Sequence, residues 1–434
     1  MPTSKSRKSR SGRAARRNAG RVRERRSPVP SVNGLADAVV RAGRELFEID
    51  DPLEAEAWAS ATLGTFYKLD AHLAAQDELE RTLWPAVVAK AEATNDTGGL
   101  AVLEALAAVA DDELAMAARA AAKRMRTAGV PSPSWANELG SAVFEGAWMI
   151  TDVFGDHEAY YATFRYPGRK PHLVNALYDK AMGEIIKDGF VGYFKGDARS
   201  VMKLEPGVFQ SDADPALMAR LILDAIASGD MYLDNDWTPE YKRFRALIRA
   251  RMRLLPAARG SRSPKAPGMR ARRRLVADFL ASGYAPDDGE AEAVASLCLD
   301  YSCDYLGEDG LRWSPIVVEQ FMLDYLPRRV SLDMGHVRAL PEVLRGWVRF
   351  ALARRGLDER WIAETEAAVK RWARDFRAAM TDAGQFGPAK ALANAMLADG
   401  IDAHDQAAVD RWIESFNRRP FAERDRLLGG PEPH

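Results

Sequence analysis

Cysteine is scarce, with two in 434 residues, which excludes a disulfide framework and a four-cysteine zinc site. No run of 18 apolar residues occurs, so the pattern of a membrane-spanning helix is missing. The familiar nucleotide and nucleophile signatures are missing as well. There is no glycine-rich loop closing on Gly-Lys-Ser/Thr, no Gly-x-Gly-x-x-Gly and no Gly-x-Ser-x-Gly. His157-Glu158 is followed by Ala159-Tyr160-Tyr161, so the two-histidine helical zinc motif is lacking too. Ser200-Val201-Met202-Lys203 spells Ser-x-x-Lys, but its companion motifs do not occur and four letters match by chance. Lysine is rare beside arginine, 14 against 47. With abundant alanine, that bias suits a high-GC genome and warns against reading every arginine as a phosphate ligand.

What is present is an ordinary globular composition, 47% hydrophobic and 28% charged. The length suggests two or three domains and a sizeable core. The net charge of −1 conceals a strong asymmetry. Residues Met1 to Gly34 carry eleven basic side chains, among them Arg16, Arg17, Arg25 and Arg26, against the single acid Glu24. Lys242 to Arg274 carries thirteen, including Arg272, Arg273 and Arg274, and no acid. Taking +10 and +13 from the net −1 leaves −24 on the other 367 residues. The first block has almost nothing apolar to bury and reads as a disordered arm. No apolar stretch follows it or its twin arginines, so export is not expected and a reducing, cytoplasmic setting is.

From Leu35 to about Gly140 the periodicity is helical. Asp51-Pro52-Leu53-Glu54 is a helix start, Pro85 is expected to kink or break a helix, and Gly129 is a left-handed stop. At Ser141 the pattern changes. Val143–Phe154, Ala159–Tyr166 and His172–Asp179 read as strands joined by glycine turns. Ile185–Phe194 reads as a fourth strand, broken at Gly189 and Gly192. Short turns between successive strands predict an antiparallel meander. Helices return at Asp214-Pro215 and Thr238-Pro239. Pro256 to Pro267 reads as a linker, and everything after Met269 reads as helical. Ser314-Pro315 starts a helix that Pro327 should stop. Trp347 and Trp372 fall on apolar stripes and should be buried. Gly387-Pro388 and Arg419-Pro420 start the last two helices. The expected fold is α+β and mainly α, with two helical domains flanking a small antiparallel meander domain. The expected segments are a basic arm 1–34, a helical domain 35–140, an α+β domain 141–255, a basic linker 256–268 and a helical domain 269–434.

Trp148 to Gly155, Asp179 to Phe190, Leu311-Arg312-Trp313-Ser314-Pro315 and Asp324-Tyr325-Leu326-Pro327-Arg328 resemble a group of uncharacterised proteins from high-GC bacteria. The likeness covers about two-thirds of the chain and implies no activity, cofactor or site residue.

The best polar constellation lies on the predicted sheet. Asp152, Asp156, His157 and Glu158 share one turn, and His172, Asp179, Lys187 and Asp188 lie on or beside the third and fourth strands. A histidine beside a carboxylate can serve as a general base, which makes His172, Asp179 and Asp188 the candidate catalytic set. Turn chemistry accounts equally for Gly155-Asp156-His157-Glu158. Cys298 shares a face with Val294, Leu297 and Tyr301 and reads as a core residue. Trp148, Tyr160, Tyr161, Phe164, Tyr166 and Tyr178 read as sheet core, although aromatics beside Arg165, Arg169 and Lys170 also suit base stacking. Two carboxylates with a histidine could also hold a divalent metal, but no metal ligands are assigned and the cofactor is left unknown.

Three functions stay open. The first is a non-enzymatic cytoplasmic scaffold or regulator binding other macromolecules, with a protein partner and no membrane. The second is a nucleic-acid-associated protein using Arg16, Arg17, Arg25, Arg26, Arg272, Arg273 and Arg274 on phosphates, against which the basic blocks can pair with the chain's own acids. The third is a hydrolase or metal-assisted enzyme with its site on the sheet.

Overall fold

A computed structural model describes residues 31–68, 73–181, 183–231, 237–258, 266–402, 405–420 and 423–424. The chain is mainly helical, with a five-stranded antiparallel sheet between N-terminal and C-terminal helical regions. Among the described residues no helix is long and apolar enough to cross a membrane.

The N-terminal region comprises α1 (Val32–Ala42), α2 (Pro52–Phe66), α3 (Leu73–Thr94), α4 (Thr97–Val109) and α5 (Asp112–Thr127). The side chain of Asp51 accepts from the Leu53 amide at 2.9 Å and that of Asp111 from the Leu114 amide at 3.0 Å. Each satisfies an amide that a helix start leaves open. Gly129, at φ +92°, ends α5, and the Val130 amide closes back on the Met125 carbonyl at 3.1 Å. Two expectations are corrected here. The segment 1–34 is not unstructured to its end, because Ser31 caps α1 through the Gly34 amide and the helix begins at Val32. Pro85 does not break α3. It lies on the exposed face with Arg81, whose carbonyl it leaves to water, while Leu83, Trp84, Val87 and Val88 pin the helix from the buried side.

The strands are β1 (Val143–Asp152), β2 (His157–Arg165), β3 (Pro171–Asp179), β4 (Ile185–Tyr193) and β5 (Val208–Asp212), in the order β4-β3-β2-β1-β5. After β4 come the short helix α6 (Ala198–Val201) and, beyond β5, α7 (Pro215–Asp230) and α8 (Pro239–Met252). β4 is continuous, contrary to the expected breaks. At Gly189 an added Cβ would meet the Asn175 carbonyl and Ile248 at 2.8 Å, so the missing side chain makes room for α8 rather than ending the strand. The ladder instead bulges at Leu177/Tyr178, where Lys187 is the extra residue. β5, which pairs with β1, has no counterpart in the expected strands. Tyr160, Ala162, Phe164, Val174, Ala176 and Tyr178 alternate onto one sheet face. That face, α1–α5, α7 and α8 share one apolar core, so no gap in packing falls between 35–140 and 141–255.

The C-terminal region runs α9 (Met269–Leu280), α10 (Ala291–Asp300), α11 (Pro315–Gln320), α12 (Leu326–Arg329), α13 (Met334–Arg354), α14 (Glu359–Ala379), α15 (Pro388–Ala398) and α16 (Gln406–Arg418). It has its own core around Phe279, Trp313, Phe321, Trp347 and Phe376. Trp347 is fully buried, but Trp372 is only half-buried, a correction to the expected stripe. Pro327 does not stop its helix. A π-turn at Phe321–Tyr325 precedes it and the run continues to Arg329. Cys298 and Cys303 are buried free thiols, Cys303 on a second π-turn at Tyr301–Tyr305. α16 has no counterpart among the expected helix starts, and the start at Arg419-Pro420 leads mostly outside the described residues.

The β1–β2 turn joins the two cores. Phe154 is buried in the C-terminal core, edge-on to Trp361 at 6.0 Å, and its carbonyl accepts from Arg355 at 3.3 Å. The buried Asp156 carboxylate accepts from the buried Arg312 at 2.7 Å.

Candidate functional site

The turn between β1 and β2 is built on Asp152. Its carboxylate accepts from the amides of Phe154 (2.8 Å), Gly155 (2.9 Å) and His157 (2.9 Å). This wrap fixes His157 as the first residue of β2, opposite Asp179, the last of β3. The His157 Nε2 lies 3.3 Å from Asp179 Oδ2, and Nδ1 lies 3.8 Å from Asp152 Oδ2. Lys187 Nζ, displaced by the bulge, stands 3.9 Å from Asp179 Oδ2. The hydrogen bond to the buried Asp179 raises the His157 pKa above its ordinary value, and the charges of Asp179 and Asp152 add to it. An imidazole between two carboxylates is favoured in its charged form and braces the ends of two strands.

The candidate set His172, Asp179 and Asp188 is not assembled. His172 and Asp179 are seven residues apart on β3. An odd spacing puts them on opposite faces, and seven steps of about 3.3 Å separate them along the strand. His172 faces the N-terminal core, fully buried and stacked near Phe164 and Tyr166. Its Nε2 accepts from Arg251 Nε at 3.0 Å. Arg251 also donates to Glu56 and, at 2.6 Å, to the Tyr166 hydroxyl, which itself donates to Glu56. All four side chains are buried, and they tie α2, the sheet and α8 together. Burial, reinforced by the Arg251 charge, lowers the His172 pKa to about 3, so it is the neutral acceptor in this network. Asp188 has a third role: its carboxylate accepts from the Gly189 amide at 2.8 Å and from Thr238 Oγ1, the residue that caps α8. Spacing along the sequence groups these residues. Strand parity separates His172 from Asp179 and is legible once the strands are drawn, whereas Asp188, opposite Leu177, is set apart by its bonds to Gly189 and Thr238.

Four members of the second basic block are paired with the chain's own acids. Arg245 pairs with Asp230, Arg251 with Glu56, and Arg253 with Asp112 at 2.8 Å. Arg272 binds both oxygens of Asp304, one at 2.7 Å, with Asp300 at 3.6 Å. Arg273 and Arg274 are exposed on α9. Arg16, Arg17, Arg25 and Arg26 lie outside the described residues. Beside the sheet, Arg165 is held by Glu145 and Arg169 by Glu138, both at 2.5 Å, which occupies two of the three cations that could accompany base stacking.

The sheet face turned away from the main core is different in kind. The register aligns Phe190, Asn175, Tyr161 and Trp148 in one row across four strands. Trp148 and Tyr161 are stacked at 5.3 Å and nearly parallel. Trp148, Leu173 and Ala198 form a small separate cluster with Ile150 and Tyr161 packed on it. Phe190, at one end of the row, is 38% exposed, and Phe194, Val201 and Leu204 are exposed in the segments that follow β4. The aromatic alternation on these strands is visible in the sequence; which aromatics face outward is not. Among the described residues no group of three or more His, Cys, Asp or Glu is placed to hold a metal ion.

No family model, curated protein or solved structure matches the chain.

Proposed function

We propose that this chain is a non-enzymatic scaffold or regulatory protein that binds a protein partner through the β4 end of the outer face of its sheet. The observation that carries the reading is the exposed apolar group at the β4 end of the aromatic row, Phe190 with Phe194, Val201 and Leu204 after it, while Trp148 and Asn175 further along the row are buried. Contiguous apolar surface on a charged chain marks a place where another surface docks. The residues suited to catalysis support the same reading, because each is engaged in holding the fold. His172 accepts from Arg251, His157 braces two carboxylates, and Asp188 holds the start of α8. The free thiols Cys298 and Cys303 fit a reducing, cytoplasmic setting.

Affinity capture from a nuclease-treated native lysate tests this. The full chain and the Met116→Asp variant, altered at an exposed position on α5, should retain the same discrete protein. Phe190→Asp should lose it while keeping its own melting temperature. Identical capture by Phe190→Asp contradicts the reading. Capture that disappears with nuclease supports the nucleic-acid alternative, whose remaining described contacts are Arg273 and Arg274.

A further inference from the structure

A second site lies in a cleft of ≈ 270 Å³ lined by residues of α2, α3, α7 and α8 and the segments beside them. Four cationic side chains line it: Lys68, Lys242, Arg245 and Arg249. The last three are spaced i, i+3 and i+7 along α8, so they share one helical face. Three acids also line the cleft, and of these Asp230 is paired with a cation while Glu80 and Asp111 hold neutral donors. Asp230 pairs with Arg245 and accepts from the Tyr67 hydroxyl at 2.6 Å. Glu80 accepts from Gln76 at 2.6 Å, and Asp111 caps α5. Arg245 is also stacked over the Tyr67 ring at 4.4 Å. Lys68 donates to the Asp230 carbonyl at 2.7 Å, which leaves its charge unneutralised.

Arg249 is the exception. Among the described residues it makes no ion pair and no side-chain hydrogen bond, and its Nε is buried without an acceptor. Desolvation and the neighbouring charges of Arg245 and Arg253 lower its pKa, outweighing the opposite pull of Asp111 and Asp230. Arginine does not lose its proton in proteins, so the cleft contains a part-buried cation that no carboxylate meets directly, in a lining of four cations and three acids. Burial of an unpaired charge is unfavourable. A multivalent oxyanion is the chemistry that relieves it, since guanidinium and ammonium donors bind phosphate oxygens strongly.

We propose that this cleft is a binding site for a phosphate group, held by Arg249, Lys242 and Lys68 with Arg245 behind them. The volume is at the lower end of ligand pockets, roughly 300–1,000 Å³, and suits inorganic phosphate or a small phosphomonoester rather than a dinucleotide. The site is independent of the docking face and does not rest on it.

The test is calorimetric titration of the full chain with inorganic phosphate and, separately, with glycerol phosphate, at constant ionic strength against chloride. Saturable binding is expected. Arg249→Gln should weaken it at least tenfold, and Arg253→Gln, whose partner Asp112 is outside the cleft, should change it less than twofold. Tighter binding of the ester by tenfold or more assigns the ligand as a phosphorylated small molecule, and equal binding assigns it as free phosphate; both support the site. In phosphate-free buffer, Arg249→Gln should melt at or above the wild-type temperature, because it removes an unpaired charge. No saturable binding of either probe, equal binding by Arg249→Gln, or a marked loss of stability in that variant without phosphate would each overturn the proposal.

Discussion

His157 and His172 sit in the same sheet and titrate in opposite directions. The folded pKa of His157 is raised, so the stability it contributes is fully present below the unfolded value of about 6.5 and is lost as pH rises through the higher folded value. Wild type minus His157→Gln should therefore show its largest difference in melting temperature near pH 5–6 and converge at alkaline pH. The folded pKa of His172 is lowered to about 3. The unfolded chain then takes up a proton that the folded chain refuses, and stability falls as pH drops from about 6.5 towards 3. The full effect amounts to roughly 4–5 kcal/mol. His172→Gln keeps an acceptor for Arg251 and should flatten that acid limb; an unchanged limb would show that the imidazole is not held neutral. Next to it, Glu56→Gln strands the Arg251 guanidinium and should cost about 3–5 kcal/mol in equilibrium unfolding. Replacing both partners with apolar residues should recover much of that loss. These residue environments are not legible in sequence, since Glu56, Tyr166, His172 and Arg251 come from four separate segments.

At the scale of elements, the sequence carries the local signals well and the long-range ones poorly. Asp51, Asp214, Thr238 and Ser314 all cap the helices expected from them, because a cap is a contact over two or three residues. Strands β1 to β4 follow from alternation and glycine turns. β5 is five residues long and is held by its pairing with β1, about sixty residues earlier, which no local pattern announces. Pro327 departs from expectation and Pro85 leaves its helix unbroken for the same reason, since packing on the buried side sustains both helices. Trp347 and Trp372 measure the difference between a stripe and a core. Trp347→Ala should cost about 3–5 kcal/mol, as for a fully buried tryptophan. Trp372→Ala should cost less than half as much, and equal losses would mean that both rings are enclosed in solution.

For the whole molecule, charge is the feature that sequence and structure describe differently. The −24 body and the second basic block are joined in part, with Arg245, Arg251, Arg253 and Arg272 each facing an acid while Arg273 and Arg274 are exposed. The two cores are joined at the β1–β2 turn, where Phe154, Asp156, Arg312 and Arg355 meet. Arg312→Met leaves the Asp156 carboxylate buried without its partner. Differential scanning calorimetry should then show the single wild-type transition separating into two, and a single undivided peak would show that the junction does not couple the cores.

The direct test of the docking face is site-specific photo-crosslinking in the native host, with a benzophenone side chain placed at Phe190 and, as the control, at Met116, 62% exposed on α5. A discrete higher-mass adduct from position 190, resistant to nuclease and lacking from position 116, is the expected result. No adduct at 190, or the same adduct from both positions, would contradict a protein-binding sheet face.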